Sequence, residues 1–154
     1  MRGPHVRAAT ERDVAGIAQG VWQLLAELGG EPPAREALEG AARELLGDPG
    51  AGAVLVADAQ ETVVGVLGAS WQSAIHVPGR YGLIQDLWVD PGWRGRRVGA
   101  ELLGAMVELA REREIGRLEV GLPPERFAGL AATEGFYLAN GFTVLGTRMR
   151  RRVT

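Results

Sequence analysis

The sequence contains no cysteine and no lysine, and it has only two histidines, His5 and His76, among its 154 residues. The absence of cysteine excludes a disulfide framework, a cysteine-based zinc site and an acyl-enzyme thioester. The absence of lysine excludes a P-loop of the G-x-x-x-x-G-K-[ST] type and Schiff-base chemistry on a lysine. We therefore expect an activity that uses no metal ion and no cysteine-linked intermediate.

An excess of one charge is also missing, because the formal net charge is only -2. Nucleic-acid-binding domains normally carry a strong excess of basic residues, so this class is disfavoured. No apolar run approaches the roughly 18 residues of a membrane span, and the first residues lack the apolar stretch of a secretion signal. We expect a cytoplasmic protein that binds neither nucleic acid nor a membrane.

The pattern of apolar residues predicts the element order. Apolar residues make up 46% of the chain, and there is no repeat or linker-like tract, which indicates one domain over residues 1–154. Hydrophobic periodicity and turn residues predict, in order, an extended start at 5–9, helices at 14–28 and from Pro32-Pro33 to 46, strands at 53–57, 62–71 and 81–89, a helix at 98–113, a strand at 118–122, a helix at 124–139, and one or two strands within 142–153. This alternation predicts a mixed α/β (α+β) fold whose sheet is covered by helices on both faces.

The segment from Asp86 to Ala100 combines a strand, a turn, a basic loop that contains glycines, and a helix start. Helix N-termini present unpaired backbone N–H groups with a partial positive charge, which suits phosphates. Two glycines, Gly95 and Gly99, allow close approach of the backbone, and three arginines add charge. A pyrophosphate group would fit this loop, although the same residues also describe an ordinary solvated helix cap.

These residues resemble a known family. The pattern Leu87-x-Val89-x-Pro91-x-x-Arg94-Gly95-x-x-Val98-Gly99-Ala100 is similar to the acetyl-CoA-binding motif of the GNAT (Gcn5-related) N-acetyltransferases. The opening residues 5–13 resemble the family's first strand and helix cap, and Phe136-Tyr137-x-x-x-Gly141-Phe142 resembles its C-terminal signature. The resemblance therefore implies a GNAT-like, mostly antiparallel central sheet of six to seven strands flanked by about four helices.

The resemblance also implies acetyl-CoA as co-substrate, bound between two strands that diverge. The pantetheine arm would bind backbone groups of Leu87, Trp88 and Val89. The pyrophosphate would bind the loop formed by Arg94, Gly95, Arg96, Arg97, Val98, Gly99 and Ala100. Tyr137 matches the tyrosine that protonates the departing thiolate. Two positions depart from the family pattern, namely Arg97, where glycine is usual, and Leu130, where an asparagine that binds the CoA arm is frequent.

The general base stays open between two carboxylates, because an amine must lose a proton during attack on the thioester. Glu119 resembles the glutamate that serves as base in ribosomal-protein N-terminal acetyltransferases, and Asp86 lies where other members carry an acid. The acceptor is expected to be a small-molecule amine or a peptide N-terminus, and the resemblance allows a homodimer. Loss of chemistry, leaving an acyl-CoA-binding sensor or interaction module, is the alternative that Arg97 and Leu130 favour.

Overall fold

The computed structural model describes residues 3–153 and shows a mixed α/β fold with one five-stranded sheet and four helices. The strands are β1 (His5–Ala8), β2 (Gly52–Ala59), β3 (Thr62–Ala74), β4 (Val77–Val89) and β5 (Leu118–Val120). The helices are α1 (Val14–Glu27), α2 (Arg35–Leu46), α3 (Val98–Glu112) and α4 (Leu130–Ala139). This confirms the predicted fold class.

The strands follow one another across the sheet in chain order, from β1 to β5. The first four pair antiparallel, and β4 pairs parallel with β5. A two-residue turn joins β2 to β3, and both of its residues, Gln60 and Glu61, have positive φ angles of 51° and 66°. Turns of this kind match the right-handed twist of the two strands that they connect.

Helices cover both faces of the sheet, as the alternation predicts. On one face α1 packs so closely that a Cβ on Gly16 would meet Val63, and a Cβ on Gly20 would meet the ring of Trp88. On the other face a Cβ on Gly65 would meet Leu102 of α3. We call these the α1/α2 face and the α3 face. The α1/α2 face buries Val14, Ile17, Ala42, Val54, Val56, Val66 and Trp88 in one cluster.

An ion-pair network attaches β1 to the start of α1. The guanidinium of Arg7 lies 2.7 Å and 2.9 Å from the two carboxylate oxygens of Asp13 and 2.8 Å from Asp58. Asp13 also accepts a hydrogen bond from the backbone N–H of Thr10 at 2.8 Å, which completes a capping box. The predicted polar cap at Thr10 is therefore confirmed, with Asp13 as its partner.

Several predicted elements differ from the structure. The strands predicted at 62–71 and 81–89 extend to Ala74 and back to Val77, and the strand predicted at 118–122 ends at Val120. The strands expected within residues 142–153 are not formed, so the sheet has five strands, not six or seven. Val144, Leu145, Met149 and Val153 are at least 69% exposed, so the apolar composition that suggested strands finds no burial there. The last helix begins at Leu130 because two successive turns occupy the residues after Pro124. Similarly, α2 begins at Arg35, after Pro32-Pro33.

The described residues divide into two compact units, one ending at Val120 and the other beginning at Gly121. The first contains the whole sheet with α1, α2 and α3, and the second contains α4. In the second unit α4 ends before Gly141, whose positive φ of 90° suits the residue that follows a helix. The predicted stop at Asn140-Gly141 is therefore confirmed.

Candidate active site

The strand β4 contains a β-bulge, which is one extra residue relative to β3. The bulge changes which backbone groups of β4 face the edge away from β3. Gly68 of β3 pairs with Asp86, but the next residue of β3, Ala69, pairs with Ile84, so Gln85 has no partner of its own. On the other edge, pairing with β5 stops at Ile84 and Val120. The last five residues of β4 therefore have no strand partner on that side among residues 3–153. We call this stretch the unpaired edge.

The direction of the peptide groups along the unpaired edge follows from two hydrogen bonds. The N–H of Asp90 donates to the C=O of Val64 at 2.8 Å, which assigns Asp90 and the alternate residue Trp88 to bonds with β3. Before the bulge the N–H of Gly82 donates to the backbone C=O of Arg117 at 2.8 Å, on the β5 side. Since backbone groups alternate along a strand, the peptide groups of Leu87 and Val89 face the unpaired edge, whereas those of Trp88 face β3.

The loop after β4 leads into α3 with the backbone that an anion site requires. Arg97 is the N-cap of α3 and has a left-handed conformation, with φ 65° and ψ 12°. No side chain caps this helix, so the first N–H groups, from Val98, Gly99 and Ala100, have no partner within the helix. Gly95 also has a positive φ of 76°. The predicted phosphate loop thus ends in an uncapped helix N-terminus.

The three arginines of the loop differ in what they contact. Arg94 donates to both carboxylate oxygens of Glu27 in α1 and to the C=O of Val89 at 2.9 Å. The guanidinium of Arg96 lies over the ring of Trp93, 5.1 Å from its centre. Arg97 is exposed, and within residues 3–153 its side chain makes no hydrogen bond or ion pair. The charge of Arg94 is therefore already balanced, and Arg96 and Arg97 supply the free positive charge.

Asp86 lies on the α1/α2 face, in register with Gly68 and two residues before Trp88. Its carboxylate forms no hydrogen bond or ion pair with the residues that the structure describes. A Cβ on Gly68 would come to 3.6 Å from its Oδ2, so the glycine leaves space beside the carboxylate. Burial raises the pKa of Asp86 above its ordinary value, because the charged form loses hydration.

Glu119 lies in β5 beside Leu83, and residues in register on parallel strands point to the same face. Leu83 is in turn the partner of Ser70, so Glu119 shares the α1/α2 face with Asp86. Its Oε2 accepts a hydrogen bond from Arg117 at 2.9 Å. The two candidate bases thus share a face, but Glu119 is paired with a cation and Asp86 is not.

Tyr137 belongs to the second unit, where it packs edge-on between two phenylalanine rings. The ring centre of Phe136 is 5.1 Å away and that of Phe142 is 5.2 Å away. Tyr137 is 7% exposed, and burial raises the pKa of its hydroxyl to about 12. The phenol therefore keeps its proton throughout the neutral range, as a proton donor must.

Sequence reasoning missed three polar residues near Asp86. Ser70, Gln72 and Gln85 form a hydrogen-bonded group on the α1/α2 face, in which both glutamine amides donate to the hydroxyl oxygen of Ser70 at 2.8 Å and 3.1 Å. The available signal was the pair of polar residues at alternate positions, 70 and 72, at the end of an otherwise apolar strand.

Metal-binding clusters and membrane-spanning helices are both absent from residues 3–153. No group of three or more His, Asp or Glu side chains there is placed to hold a metal ion. None of the helices described is both long enough and apolar enough to cross a bilayer.

Comparison with known proteins gives consistent matches. The model of the Acetyltransferase (GNAT) family matches residues 18–142. Glucosamine 6-phosphate N-acetyltransferase 1 of Oryza sativa subsp. japonica is 31% identical over 142 residues, which is 89% of this chain and 81% of the relative.

Solved structures agree with this match. The glucosamine-6-phosphate N-acetyltransferase of Arabidopsis thaliana superimposes with a TM-score of 0.76 at 13% identity, covering 97% of this chain and 98% of that one. A predicted acetyltransferase with acetyl-CoA from Clostridium acetobutylicum gives a TM-score of 0.80 at 17% identity, covering 97% and 96%. At these identities the two structures establish the fold alone.

Proposed function

Since this chain belongs to the Acetyltransferase (GNAT) family, we propose that it transfers the acetyl group of acetyl-CoA to a primary amine by direct attack in a ternary complex. The observation that carries the proposal is the unpaired edge of β4, followed at once by the uncapped N-terminus of α3. Together they offer N–H donors for an extended amide-containing arm and for a pyrophosphate, which are the two polar parts of CoA nearest its thioester.

The pantetheine arm would bind the unpaired edge as an additional strand does, through main-chain hydrogen bonds. Leu87 and Val89 are the residues whose peptide groups face that edge, so we assign the arm to them and leave Trp88 to its pairing with β3. One of these N–H groups would also polarise the thioester carbonyl. An oriented donor on a developing oxyanion contributes about 3 kcal/mol to lowering the barrier.

The pyrophosphate would bind the N–H groups of Val98, Gly99 and Ala100, with the loop backbone around Gly95 close by. Arg96 and Arg97 would add positive charge, while Arg94 would hold the loop against α1 through Glu27. The residues present therefore match the chemistry of CoA, because they offer N–H donors and positive charge to its phosphates.

We assign the base to Asp86 in preference to Glu119, because its carboxylate has no cation partner and a raised pKa. The amine nitrogen forms the new bond to the carbonyl carbon as the bond from carbon to sulfur breaks. Asp86 takes the proton of the amine through a water molecule, and the hydroxyl of Tyr137 gives its proton to the departing thiolate and regains one from solvent. No covalent enzyme intermediate is needed.

The first test is calorimetric titration of the purified protein with acetyl-CoA and with CoA at two salt concentrations. We expect micromolar binding that weakens as salt rises, because charged groups contribute to it. A screen of primary amines, followed by release of free thiol, then tests the transfer itself. Absence of binding by both ligands would overturn the proposal.

The alternative function is an acyl-CoA-binding sensor or interaction module without chemistry. The observations that favour it are the side chains of Arg97 and Leu130, which stand where the family pattern has glycine and, frequently, asparagine. This alternative predicts binding of acetyl-CoA in the calorimeter with no thiol released for any amine, so the two experiments together separate the two functions.

A further inference from the structure

A polar cluster lies on the α1/α2 face beside the bulge, and the proposed chemistry uses only one of its members. The cluster consists of Ser70, Gln72, Gln85 and Asp86. The bulge brings Gln85 to the same face as Asp86, since the amide of Gln85 reaches Ser70 and Ser70 lies in register with Leu83 on that face. The side chain that acts on the amine is thus flanked by neutral groups that can form hydrogen bonds.

The hydroxyl of Ser70 has a defined role within the cluster. Its oxygen accepts hydrogen bonds from Nε2 of Gln72 at 2.8 Å and from Nε2 of Gln85 at 3.1 Å. A hydroxyl oxygen has two lone pairs and one hydrogen, so both acceptor positions are used and the hydrogen is left to donate. The two glutamine amides hold the hydroxyl in place. Because Ser70 is only half-buried, its hydroxyl hydrogen is still accessible to a ligand.

A second, independent donor lies on the same face. Trp88 is 4% exposed, and its Nε1–H is buried without a hydrogen-bond partner in the part of the chain that the structure describes. The benzo edge of the ring faces Gly20 of α1, so the N–H lies on the opposite side of the ring from that helix. Trp88 follows Asp86 by two residues on one strand, which places the indole next to the carboxylate on this face. A buried donor of this kind, which Trp71 also has at its Nε1, is left for a water molecule or a ligand to satisfy, and only that of Trp88 lies on this face.

The cluster also offers acceptors. The carboxylate of Asp86 is unpartnered among the described residues, and the amide oxygens of Gln72 and Gln85 remain after their nitrogens have bonded to Ser70. Hydrogen-bond donors and acceptors therefore lie on the same face as the proposed base. A hydroxyl group both donates and accepts, so it matches this arrangement better than a carbonyl or a second ammonium.

We propose that Ser70, held by Gln72 and Gln85, is a specificity-determining residue that donates to a hydroxyl of the acceptor, which is a primary amine of the amino alcohol or amino sugar class. The inference rests on the proposed function, because it assigns the acceptor of the same site. It excludes polyamines and simple alkylamines as preferred substrates.

The kinetic test compares hydroxylated amines (ethanolamine, glucosamine and glucosamine 6-phosphate) with propylamine and cyclohexylamine at saturating acetyl-CoA. We expect kcat/KM to favour the hydroxylated amines. Ser70→Ala should lower kcat/KM for the best hydroxylated amine about tenfold, mainly through KM, because one oriented hydrogen bond is lost. It should leave kcat/KM for propylamine unchanged, and Ser70→Thr should restore the preference.

The matched control is Ser73→Ala, because Ser73 is exposed and lies three residues away on the same strand, outside the cluster. The melting temperature and the acetyl-CoA affinity of each variant show that the fold is intact. Equal kcat/KM for propylamine and for the best hydroxylated amine, or turnover of none of the hydroxylated amines by a protein that binds acetyl-CoA, would overturn the inference and leave the binding of acetyl-CoA standing.

A binding measurement decides the inference even if the chain fails to bind acetyl-CoA. The indole N–H resonance of Trp88, assigned by its loss in Trp88→Phe, should shift when glucosamine or ethanolamine is added and not when propylamine is added. Ser70→Ala should abolish that shift, and Ser73→Ala should retain it. An unshifted signal, or the same shift with propylamine, would contradict the proposed recognition of a hydroxyl.

Discussion

The guanidinium of Arg94, in the loop that follows β4, donates to both carboxylate oxygens of Glu27, the last residue of α1, at 2.8 Å and 2.9 Å. A residue that the motif assigns to the cofactor is thus also the link between the phosphate loop and a helix on the α1/α2 face. Part of the positive charge of the loop is neutralised before any ligand arrives.

Removing that carboxylate should strengthen cofactor binding. In Glu27→Gln the charge of Arg94 is no longer balanced, so we expect acetyl-CoA to bind about threefold more tightly at low salt. The gain should vanish at high salt, where surface charges are screened. Glu31→Gln serves as the control, since Glu31 is exposed and takes no part in the ion pairs of residues 3–153. Equal affinity in the two variants would contradict this role of Glu27.

Replacing Arg97 with glycine should stabilise the fold. A left-handed conformation at a residue other than glycine costs about 1 kcal/mol, and glycine adopts it freely. Arg97→Gly should therefore raise the melting temperature by about 2 to 4 °C. Arg96→Gly is the control, because Arg96 does not have a positive φ, and it should lower the melting temperature or leave it unchanged. A lower melting temperature for Arg97→Gly would refute the argument from strain.

Removing the charge of Asp86 should stabilise the protein and reduce its activity. Burial raises the folded-state pKa of this carboxyl, so the folded chain holds the proton more tightly than the unfolded chain does. The charged form therefore destabilises the fold above that pKa, and Asp86→Asn should melt at a higher temperature at pH 7. Because Asp86 is the proposed base, Asp86→Asn should also lower kcat about 100-fold.

Glu119→Gln supplies the comparison for Asp86→Asn. The carboxylate of Glu119 is paired with Arg117, so we expect Glu119→Gln to change kcat by no more than a few-fold. If Glu119→Gln loses activity and Asp86→Asn retains it, the assignment of the two carboxylates must be reversed.

Tyr137→Phe should lower kcat about 100-fold while the affinity for acetyl-CoA stays nearly constant. The hydroxyl has a pKa of about 12, so ionisation of this residue should not reduce the activity of the unmodified protein below about pH 10. Tyr81→Phe is the matched control, because Tyr81 is the other tyrosine of the chain and belongs to β4. Unchanged turnover in Tyr137→Phe would exclude this residue as the acid.

Arg7→Ala should lower the free energy of unfolding by about 2 to 3 kcal/mol, since it removes charged hydrogen bonds to Asp13 and Asp58. The hydrogen bond from Arg7 is the main reason that the pKa of Asp13 is lowered. This stabilisation is present above the unfolded-state pKa and is lost as the pH falls through the lowered pKa of the folded state. Denaturant unfolding should thus show a constant difference from pH 5 to 7 that shrinks below about pH 4. Arg12→Ala, at an exposed neighbour, should show neither effect.

The sequence predicted most of the architecture because local patterns determine it. The spacing of apolar residues located α1 and α3 to within a residue or so, and the motif from Asp86 to Ala100 located the phosphate loop. The bulge at Gln85 could not be predicted, since it exists only relative to the partner residues in β3. The strands expected within 142–153 failed for a related reason, because strand formation requires a neighbouring strand as well as suitable residues.

The predicted roles of the site residues likewise depend on partners that local sequence patterns do not reveal. Sequence alone named Leu87, Trp88 and Val89 together, and only the pairing register separates Trp88 from the other two. The partner of Arg94 is 67 residues away in the chain, and Gln85 reaches Ser70 from a different strand, 15 residues away. Relationships of this range are set by tertiary packing and leave no local pattern.

The single unpaired residue at the bulge has a consequence for how this chain can vary. If Gln85 instead paired with Gly68 in a regular ladder, each later residue of β4 would shift by one position along β3, and the N–H groups of Leu87 and Val89 would turn toward β3. Trp88 would then present its backbone to the outer edge, and its side chain would exchange faces with those of its neighbours. Substitutions in this strand alter one contact at a time, whereas a shift of the pairing by one residue inverts all of them. The ligand edge of β4 therefore depends on the register that the bulge sets more than on the composition of the strand.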